Sequence, residues 1–192
     1  FDMNRSEVFR HTLTTDSIET RLSGATQVPV ISKLDGREWL PVYEGKMLSA
    51  YNHRAGAVVL HSDNVVRSAQ SVQSTTERLK DAAFFPAPAF WIPRSALVPV
   101  VQQAKFDGWA ISYKDITAST NERTMLATVL PAPSGNYTVR FVFFNELHRS
   151  MERCGFLANL NCLVYDYVAK QSVAGLHLSE YLVHQLPILP PT

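Results

Sequence analysis

The sequence predicts an α+β fold in which a twisted, mostly antiparallel sheet packs against a C-terminal helix. Two patterns support this class. Short apolar runs bounded by turn-forming residues recur from Trp39 onwards, and a later segment repeats its apolar residues at helical spacing. The 46% apolar and 18% charged content of the 192 residues is typical of a globular protein with one principal core.

The first residues differ in character from the rest of the chain. Polar residues dominate as far as Gly36, apart from the apolar run at 28–31. We therefore expect residues 1–36 to form a connecting arm from a preceding domain, and residues 37–192 to form the domain itself. Because the chain starts at Phe1 and not at a methionine, we also expect it to be a piece of a longer polypeptide.

Six strands are predicted from the short apolar runs. The clearest is the last, because it is rich in β-branched and aromatic residues and follows the turn-forming Pro-Ser-Gly-Asn at 133–136. Arg140 is expected on the wetter face of that strand. The predicted strands cover residues 39–43, 56–60, 90–92, 108–113, 125–130 and 137–144.

The other segments are predicted from their polarity and prolines. Residues 64–82 lack an apolar stripe and are expected to form a loop or an exposed helix. Residues 93–103 should form a short helix or a bent turn, because Pro99 interrupts the pattern. The tail at 178–192 is expected to be extended, since Pro187, Pro190 and Pro191 do not fit a helix.

A single C-terminal helix is predicted, ending near residues 171–175. Asp166 and Lys170 are expected to pair on its solvent-facing side. Its apolar stripe is formed by Phe156, Leu157, Leu160, Leu163, Val164, Tyr167 and Val168.

Composition also limits the location of the protein and its chemistry. No apolar run approaches the roughly 18 residues of a membrane-spanning helix, and the start has no signal-peptide pattern, so a soluble, cytoplasmic protein is expected. Cys154 and Cys162 are expected to be reduced and buried. Trp91 and Trp109 are expected in the core. The net charge of +1 means that any nucleic-acid contact must come from local clustering.

Motifs for catalysis or cofactor binding are absent from the sequence. There is no glycine-rich cofactor turn, Asn/Asp-Pro-Pro-aromatic segment, phosphate loop, nucleophile elbow or Cys-x-x-Cys cluster. The six histidines have no ligand-like spacing, so no metal or cofactor is expected in this chain. Asp107 and Asp115 flank one predicted strand, but such carboxylates usually face solvent. We do not expect acid-base catalysis.

Three separated blocks of sequence are the remaining functional signal. The first (residues 42–54) places Lys46, His53 and Arg54 near a glycine and two tyrosines, and the second (119–124) contains Asn121 and Arg123. Basic side chains hold phosphates, while Asn and Arg read adenine and guanine through paired hydrogen bonds. The third block comprises 161–170 and 185–191. These residue types favour nucleic-acid recognition, but ordinary solvated turns between strands would contain the same residues.

Taken in order, the blocks resemble the target recognition domain of N6-adenine DNA methyltransferases and of fused type IIG restriction-modification enzymes. The matching residues are Tyr-Glu-Gly-Lys-Met with His-Arg, Asn-Glu-Arg-Thr before a strand ending in Leu-Pro, and Leu-Asn-Cys-Leu-Val-Tyr-Asp-Tyr-Val-Ala-Lys with Gln-Leu-Pro. The resemblance covers about 39–191. The chain departs from the family at Cys162, where serine is usual, and at Ser172, where the family usually has lysine.

The resemblance implies a DNA-target-recognition-domain-like fold and a non-catalytic role for this chain. It implies a preceding methyltransferase domain that binds S-adenosyl-L-methionine and methylates adenine, while this module binds double-stranded DNA and selects the sequence. It carries DNA-contact roles onto Lys46, His53, Arg54, Asn121, Arg123 and Thr124. Lys170 and His177, at or beyond the end of the C-terminal helix, are further candidates.

A second hypothesis comes from a different functional class. The C-terminal helix and the proline-rich tail would dock a methylase or nuclease subunit, and DNA contacts would be minor. Exposed Leu or Val side chains on that helix would favour this alternative.

Overall fold

The computed structural model describes residues 10–11, 19–23, 26–30, 37–60, 69–144 and 150–189. It confirms the α+β class, with every pair of adjacent strands antiparallel in the described part of the chain. The strands are β1 (Arg10–His11), β2 (Glu19–Ser23), β3 (Thr26–Val30), β4 (Trp39–Pro41), β5 (Gly56–Leu60), β6 (Ala69–Gln73), β7 (Phe90–Pro93), β8 (Ala110–Lys114), β9 (Ala127–Leu130) and β10 (Val139–Val142). The helices are α1 (Thr76–Lys80), α2 (Arg94–Gln103), α3 (Ser150–Asn161), α4 (Leu163–Ser172) and α5 (Glu180–Val183).

The strands form two three-stranded sheets and two hairpins. The first sheet has the order β1-β7-β4 and the second has the order β10-β8-β9, while β2-β3 and β5-β6 are hairpins. The segment expected to be a connecting arm contributes β1 to the first sheet, where Arg10 pairs with Trp91. The two sheets are joined where the N–H of Tyr43 donates to the carbonyl of Ser134 at 2.7 Å.

Three apolar clusters form the core. The largest lies between the second sheet and helices α3 to α5, and includes Ile111, Met125, Leu160 and Leu178. A second cluster packs α2 on the first sheet, and a third surrounds Tyr43 and Met47. Trp91 is buried and Trp109 is partly buried against the largest cluster, as expected.

All six predicted strands are present, with small differences at their ends. The 93–103 segment is a helix, α2, with Pro99 inside it. Part of the 64–82 region, residues 64–68, lies outside the described residues. Within the rest, α1 is the exposed helix that was expected. The strand β6 was not predicted. The strand β6 needs no apolar stripe, because its residues 70–73 are exposed and β5 is its only partner among the described strands.

The single C-terminal helix was a wrong prediction. The helix breaks after Asn161, and a new helix, α4, begins with Cys162 as its N-cap, whose Sγ accepts from the N–H of Tyr165 at 3.3 Å. This break changes the buried face, so Tyr165, Asp166 and Ala169 face the core. Leu163, Val164 and Tyr167 are exposed instead.

Other expectations about exposure were also wrong. Both cysteines are free and exposed, because Cys154 lies on the outer face of α3 and Cys162 lies at the helix break. The tail is not wholly extended, since residues 180–183 form the short helix α5 before Pro187. Asp115 is buried and ion-paired, so it does not face solvent as expected for a carboxylate at a strand end.

Candidate nucleic-acid interface

One end of the second sheet collects most of the candidate residues. The strand β8 ends there at Lys114, β9 begins there at Ala127, and β10 begins there at Val139. The register confirms this placement, because Tyr113 pairs with Ala127 and Lys114 pairs with Val139. The connection at residues 115–126, which contains the second block, therefore projects from this end.

Ala127 is the point where the first and third blocks meet, close to the end of the second block. Its carbonyl accepts from the N–H of Tyr51 in the first block at 2.9 Å. The side chain of Asn161 in the third block spans the same residue: its Oδ1 accepts from the N–H of Ala127 at 3.0 Å, and its Nδ2 donates to the carbonyl at 2.9 Å. The first and third blocks, which are separated by more than a hundred residues of sequence, are thus joined at the first residue of β9, three residues after the end of the second block.

Asp166 fixes the end of the second block. Its Oδ1 accepts from the backbone N–H groups of Thr124 at 2.8 Å and Met125 at 2.7 Å. Its Oδ2 forms an ion pair with the Nε of Arg123 at 3.1 Å. The expected surface pair between Asp166 and Lys170 is therefore wrong. The ammonium of Lys170 instead donates to the carbonyl of Glu122 at 2.8 Å.

The second block is held in place mainly by its own polar side chains. Arg123 also donates from Nη2 to the carbonyl of Asn161 at 2.7 Å, and the hydroxyl of the buried Thr124 donates to the carbonyl of Ala118. The side-chain amide of Asn121 donates to the hydroxyl of Thr117 at 3.3 Å, and Asn121 is exposed. Of the three candidates in this block, Asn121 is therefore the most accessible to a ligand.

In the first block, Arg54 holds a neighbouring segment of backbone. Its Nη1 donates to the carbonyls of Asp81 and Phe84 at 2.9 Å each, and its Nη2 donates to the carbonyl of Leu79 at 3.2 Å. Guanidinium groups at the carbonyl end of a helix satisfy acceptors that the helix leaves open. These bonds tie the end of α1 and the following turn to the first block.

Lys46 and His53 have different environments in the same block. Lys46 forms an ion pair with the buried Glu44 at 3.2 Å. His53 is half-buried, with its ring edge-on to the buried ring of Tyr43 at a centroid distance of 6.2 Å. Burial, with a smaller contribution from the charge of Arg54, lowers the pKa of His53 to about 4. His53 is therefore neutral at neutral pH and brings no positive charge to this end of the sheet.

His177 lies at the same end, beside a buried carboxylate. It forms an isolated antiparallel bridge with Ile116, and its Nδ1 lies 3.5 Å from Oδ1 of Asp115. The other oxygen of Asp115 accepts two hydrogen bonds from Arg140, at 3.0 Å from Nε and 2.7 Å from Nη2. Arg140 is exposed, as expected, and the carboxylate fixes its orientation.

Two side chains at this end were missed as candidates. Tyr51 is 60% exposed and adopts a φ of 58°, an unusual conformation for a bulky residue, at the tip of the turn that docks on Ala127. Lys114 is half-buried at the end of β8. A positive φ has no signal in a single sequence. A lone lysine at the end of a strand looks like ordinary surface charge.

The described part of the chain shows neither a metal centre nor an enclosed catalytic pocket. No group of three or more His, Cys, Asp or Glu side chains within it could hold a metal ion. An open groove of about 860 Å³ lies between β10 and α5, and its described lining includes one carboxylate, Glu180, and no Ser, Thr, Cys or Lys nucleophile. None of the eight candidate DNA-contact residues lines it. None of the described helices is long and apolar enough to cross a membrane.

Comparison with family models, with curated proteins and with solved structures finds no match to this chain. The functional inference therefore depends on the three blocks and on the geometry that brings them together.

Proposed function

We propose that this chain is the sequence-specific DNA recognition module of an adenine-specific DNA methyltransferase of the restriction-modification type. The observation that carries the proposal is that the first and third blocks meet at Ala127, through Tyr51 and Asn161, while Asp166 of the third block binds Arg123 and Thr124 of the second. Parts of all three segments that together resemble a target recognition domain are thus held together at one end of one sheet. Loops held by a rigid sheet are a common way of presenting side chains to a ligand.

The charge of this end supports a polyanionic partner. Its basic side chains include Lys46, Arg54, Lys114, Arg123, Arg140 and Lys170, and its acidic side chains include the four carboxylates Glu44, Asp115, Glu122 and Asp166, although the whole chain has a net charge of only +1. Three of the four acids, Glu44, Asp115 and Asp166, are buried and ion-paired. These ion pairs use Lys46, Arg123 and Arg140, so the cations left for phosphate contacts are Arg54, Lys114 and Lys170.

The exposure of each side chain indicates which residues contact DNA and which hold the structure in place. Asn121 is the candidate for reading a base edge, since its amide offers the donor and acceptor that match adenine. Arg123 and Thr124 mainly hold the loop that presents it, and Arg54 holds the first block to the end of α1. In this proposal the chain is not catalytic. S-adenosyl-L-methionine is bound by a preceding methyltransferase domain, and the protein works in the cytoplasm.

A gel shift at two salt concentrations tests DNA binding by the chain. The wild type is expected to bind a mixed-sequence duplex in about 50 mM salt and to lose most of that affinity in about 200 mM salt, because counterions compete for the phosphates. A bovine serum albumin lane controls for non-specific retention. Affinity that is absent, or equal at both salt concentrations, would contradict the proposal.

A second candidate function, docking of a methylase or nuclease subunit, is favoured by one observation. Leu163, Val164 and Tyr167 lie on the outer face of α4 and are 72%, 74% and 65% exposed. Apolar side chains clustered on a surface are typical of protein interfaces. This candidate expects no salt-dependent affinity for the duplex.

A charge on α4 tests whether this helix takes part in DNA binding. If DNA recognition is the function, Leu163→Glu should leave duplex affinity within about twofold of wild type, and stability within about 0.5 kcal/mol, since the side chain is exposed. Gel shifts and urea unfolding of the variant measure both. Loss of DNA binding by Leu163→Glu with unchanged stability would instead place α4 within the DNA surface.

A further inference from the structure

The basic side chains at this end of the second sheet have partners, with one exception. Lys46 and Arg140 form ion pairs with carboxylates, as does Arg123. Arg54 and Lys170 donate to backbone carbonyls. The ammonium of Lys114 has no hydrogen-bond or ion-pair partner among the described residues.

Lys114 is held firmly although its charge is not paired. Its backbone N–H donates to the carbonyl of Leu126 at 3.0 Å, and it pairs with Val139 of β10. Its Cγ lies 3.2 Å from the point that a β-carbon on Gly45 would occupy. The turn of the first block therefore packs directly on the stem of Lys114. This contact also gives a reason for the glycine, since the same β-carbon would lie 2.9 Å from the carbonyl of Thr138.

An ammonium in this position is incompletely solvated. Lys114 is half-buried, and burial lowers its pKa. A partly desolvated cation without a counterion destabilises the folded protein, and an anion that binds beside it removes that penalty. The turn of the first block packs on Lys114, and the connection that contains the second block begins at the next residue, so an incoming anion would meet Lys114 beside two of the three blocks.

We propose that Lys114 is a phosphate-binding residue that contacts the DNA backbone, with the first-block turn around Gly45 and Lys46 fixing its position. This inference rests on the proposed function and deepens it. It names a contact that the three sequence blocks do not include. Because a phosphate contact carries no base information, Lys114 contributes affinity and register, while sequence selection belongs to other residues.

The experiment compares the salt dependence of duplex binding between wild type and Lys114→Met, measured by fluorescence anisotropy with a labelled mixed-sequence duplex. Methionine keeps most of the apolar stem that packs on Gly45 and removes the charge. The slope of log K against log salt should become shallower by about 0.9, the contribution of one neutralised phosphate. Lys114→Arg keeps the charge and should retain most of the wild-type slope.

Lys105→Met is the matched control. It also removes one lysine charge, but Lys105 is exposed and lies before the opposite end of β8. Its slope should equal that of wild type. A wild-type slope in Lys114→Met would overturn this inference and leave the proposed function intact. Absence of salt-dependent binding by the wild type would overturn both. Urea unfolding of Lys114→Met should show no loss of stability, which separates a lost contact from a damaged fold.

Discussion

Replacing Asp166 with alanine is expected to destabilise the protein by about 3–5 kcal/mol, the range for breaking a buried ion pair by removing one partner. The carboxylate is 4% exposed and accepts from the N–H groups of Thr124 and Met125, and it neutralises Arg123. The variant leaves two buried donors without an acceptor and a partly buried guanidinium without its counter-charge. Because these groups hold the second block to β9, the same change should loosen the candidate DNA surface.

Urea unfolding followed by tryptophan fluorescence measures this effect. Asp166→Asn keeps a side-chain oxygen as an acceptor but loses the charge, so its stability should lie between that of wild type and that of Asp166→Ala. Glu122→Gln is the control, since it removes a carboxylate from an exposed position in the same loop and should change stability by less than about 0.5 kcal/mol. If Asp166→Ala is within about 1 kcal/mol of wild type, the anchoring role is wrong.

Acid is expected to destabilise the protein through His53 by about 3 kcal/mol between pH 6.5 and about pH 4. Burial lowers the pKa of His53 from 6.5 to about 4, so the unfolded chain binds the proton at a higher pH than the folded protein does. Above pH 6.5 His53 is neutral in both states, so the protein keeps its full stability. As the pH falls from 6.5 to about 4, the unfolded chain takes up the proton first and the free energy of unfolding decreases. The charged ring would lie beside the buried Tyr43 and close to the charge of Arg54.

The measurement is the free energy of unfolding in urea at several pH values across this window, for wild type and His53→Phe. Phenylalanine keeps a ring against Tyr43 but does not titrate, so the difference between the two proteins isolates the proton on His53. His184→Gln controls for the loss of one histidine at an exposed position. If His53→Phe loses as much stability in acid as wild type does, the buried, neutral state of His53 is refuted.

The stability roles of the arginines also affect how DNA binding should be tested. Arg54 and Arg123 are candidate DNA-contact residues, but both make hydrogen bonds to the backbone of other segments. An alanine at either position would reduce DNA binding through the fold even if the guanidinium never touched DNA. Lys114→Met breaks no side-chain polar contact within the part of the chain that the structure describes, and it is the cleaner variant.

Much of the fold could be predicted because its signals are local. The strand at 137–144 is marked by aromatic and β-branched residues after a turn, and β10 lies within it. The break between α3 and α4 could not be predicted, because Leu163, Val164 and Tyr167 continue the helical spacing of the preceding apolar residues. Only the hydrogen bonds of Asn161 to Ala127 and the capping by Cys162 show why the helix stops there.

The candidate site was less predictable, because its geometry depends on distant pairs. Residue types pointed to Arg123, but its partner Asp166 lies 43 positions away, in a helix where it looked like a surface residue. The burial of His53, and the lack of a partner for the Lys114 ammonium among the described residues, arise from the packing of separate segments. No spacing pattern in the sequence encodes either of them. Residue type therefore predicted the kind of site, while packing decided which side chains remain available to a ligand.

Selection from a pool of randomised duplexes tests whether the chain recognises a specific DNA sequence. The 192-residue chain is mixed with the pool at low salt, and the bound and unbound duplexes are separated by gel shift and sequenced. The proposal predicts that the bound fraction is enriched in one short sequence, and that Asn121→Ala weakens this preference more than Lys114→Met does. A bound fraction with the same base composition at every position as the starting pool would contradict it.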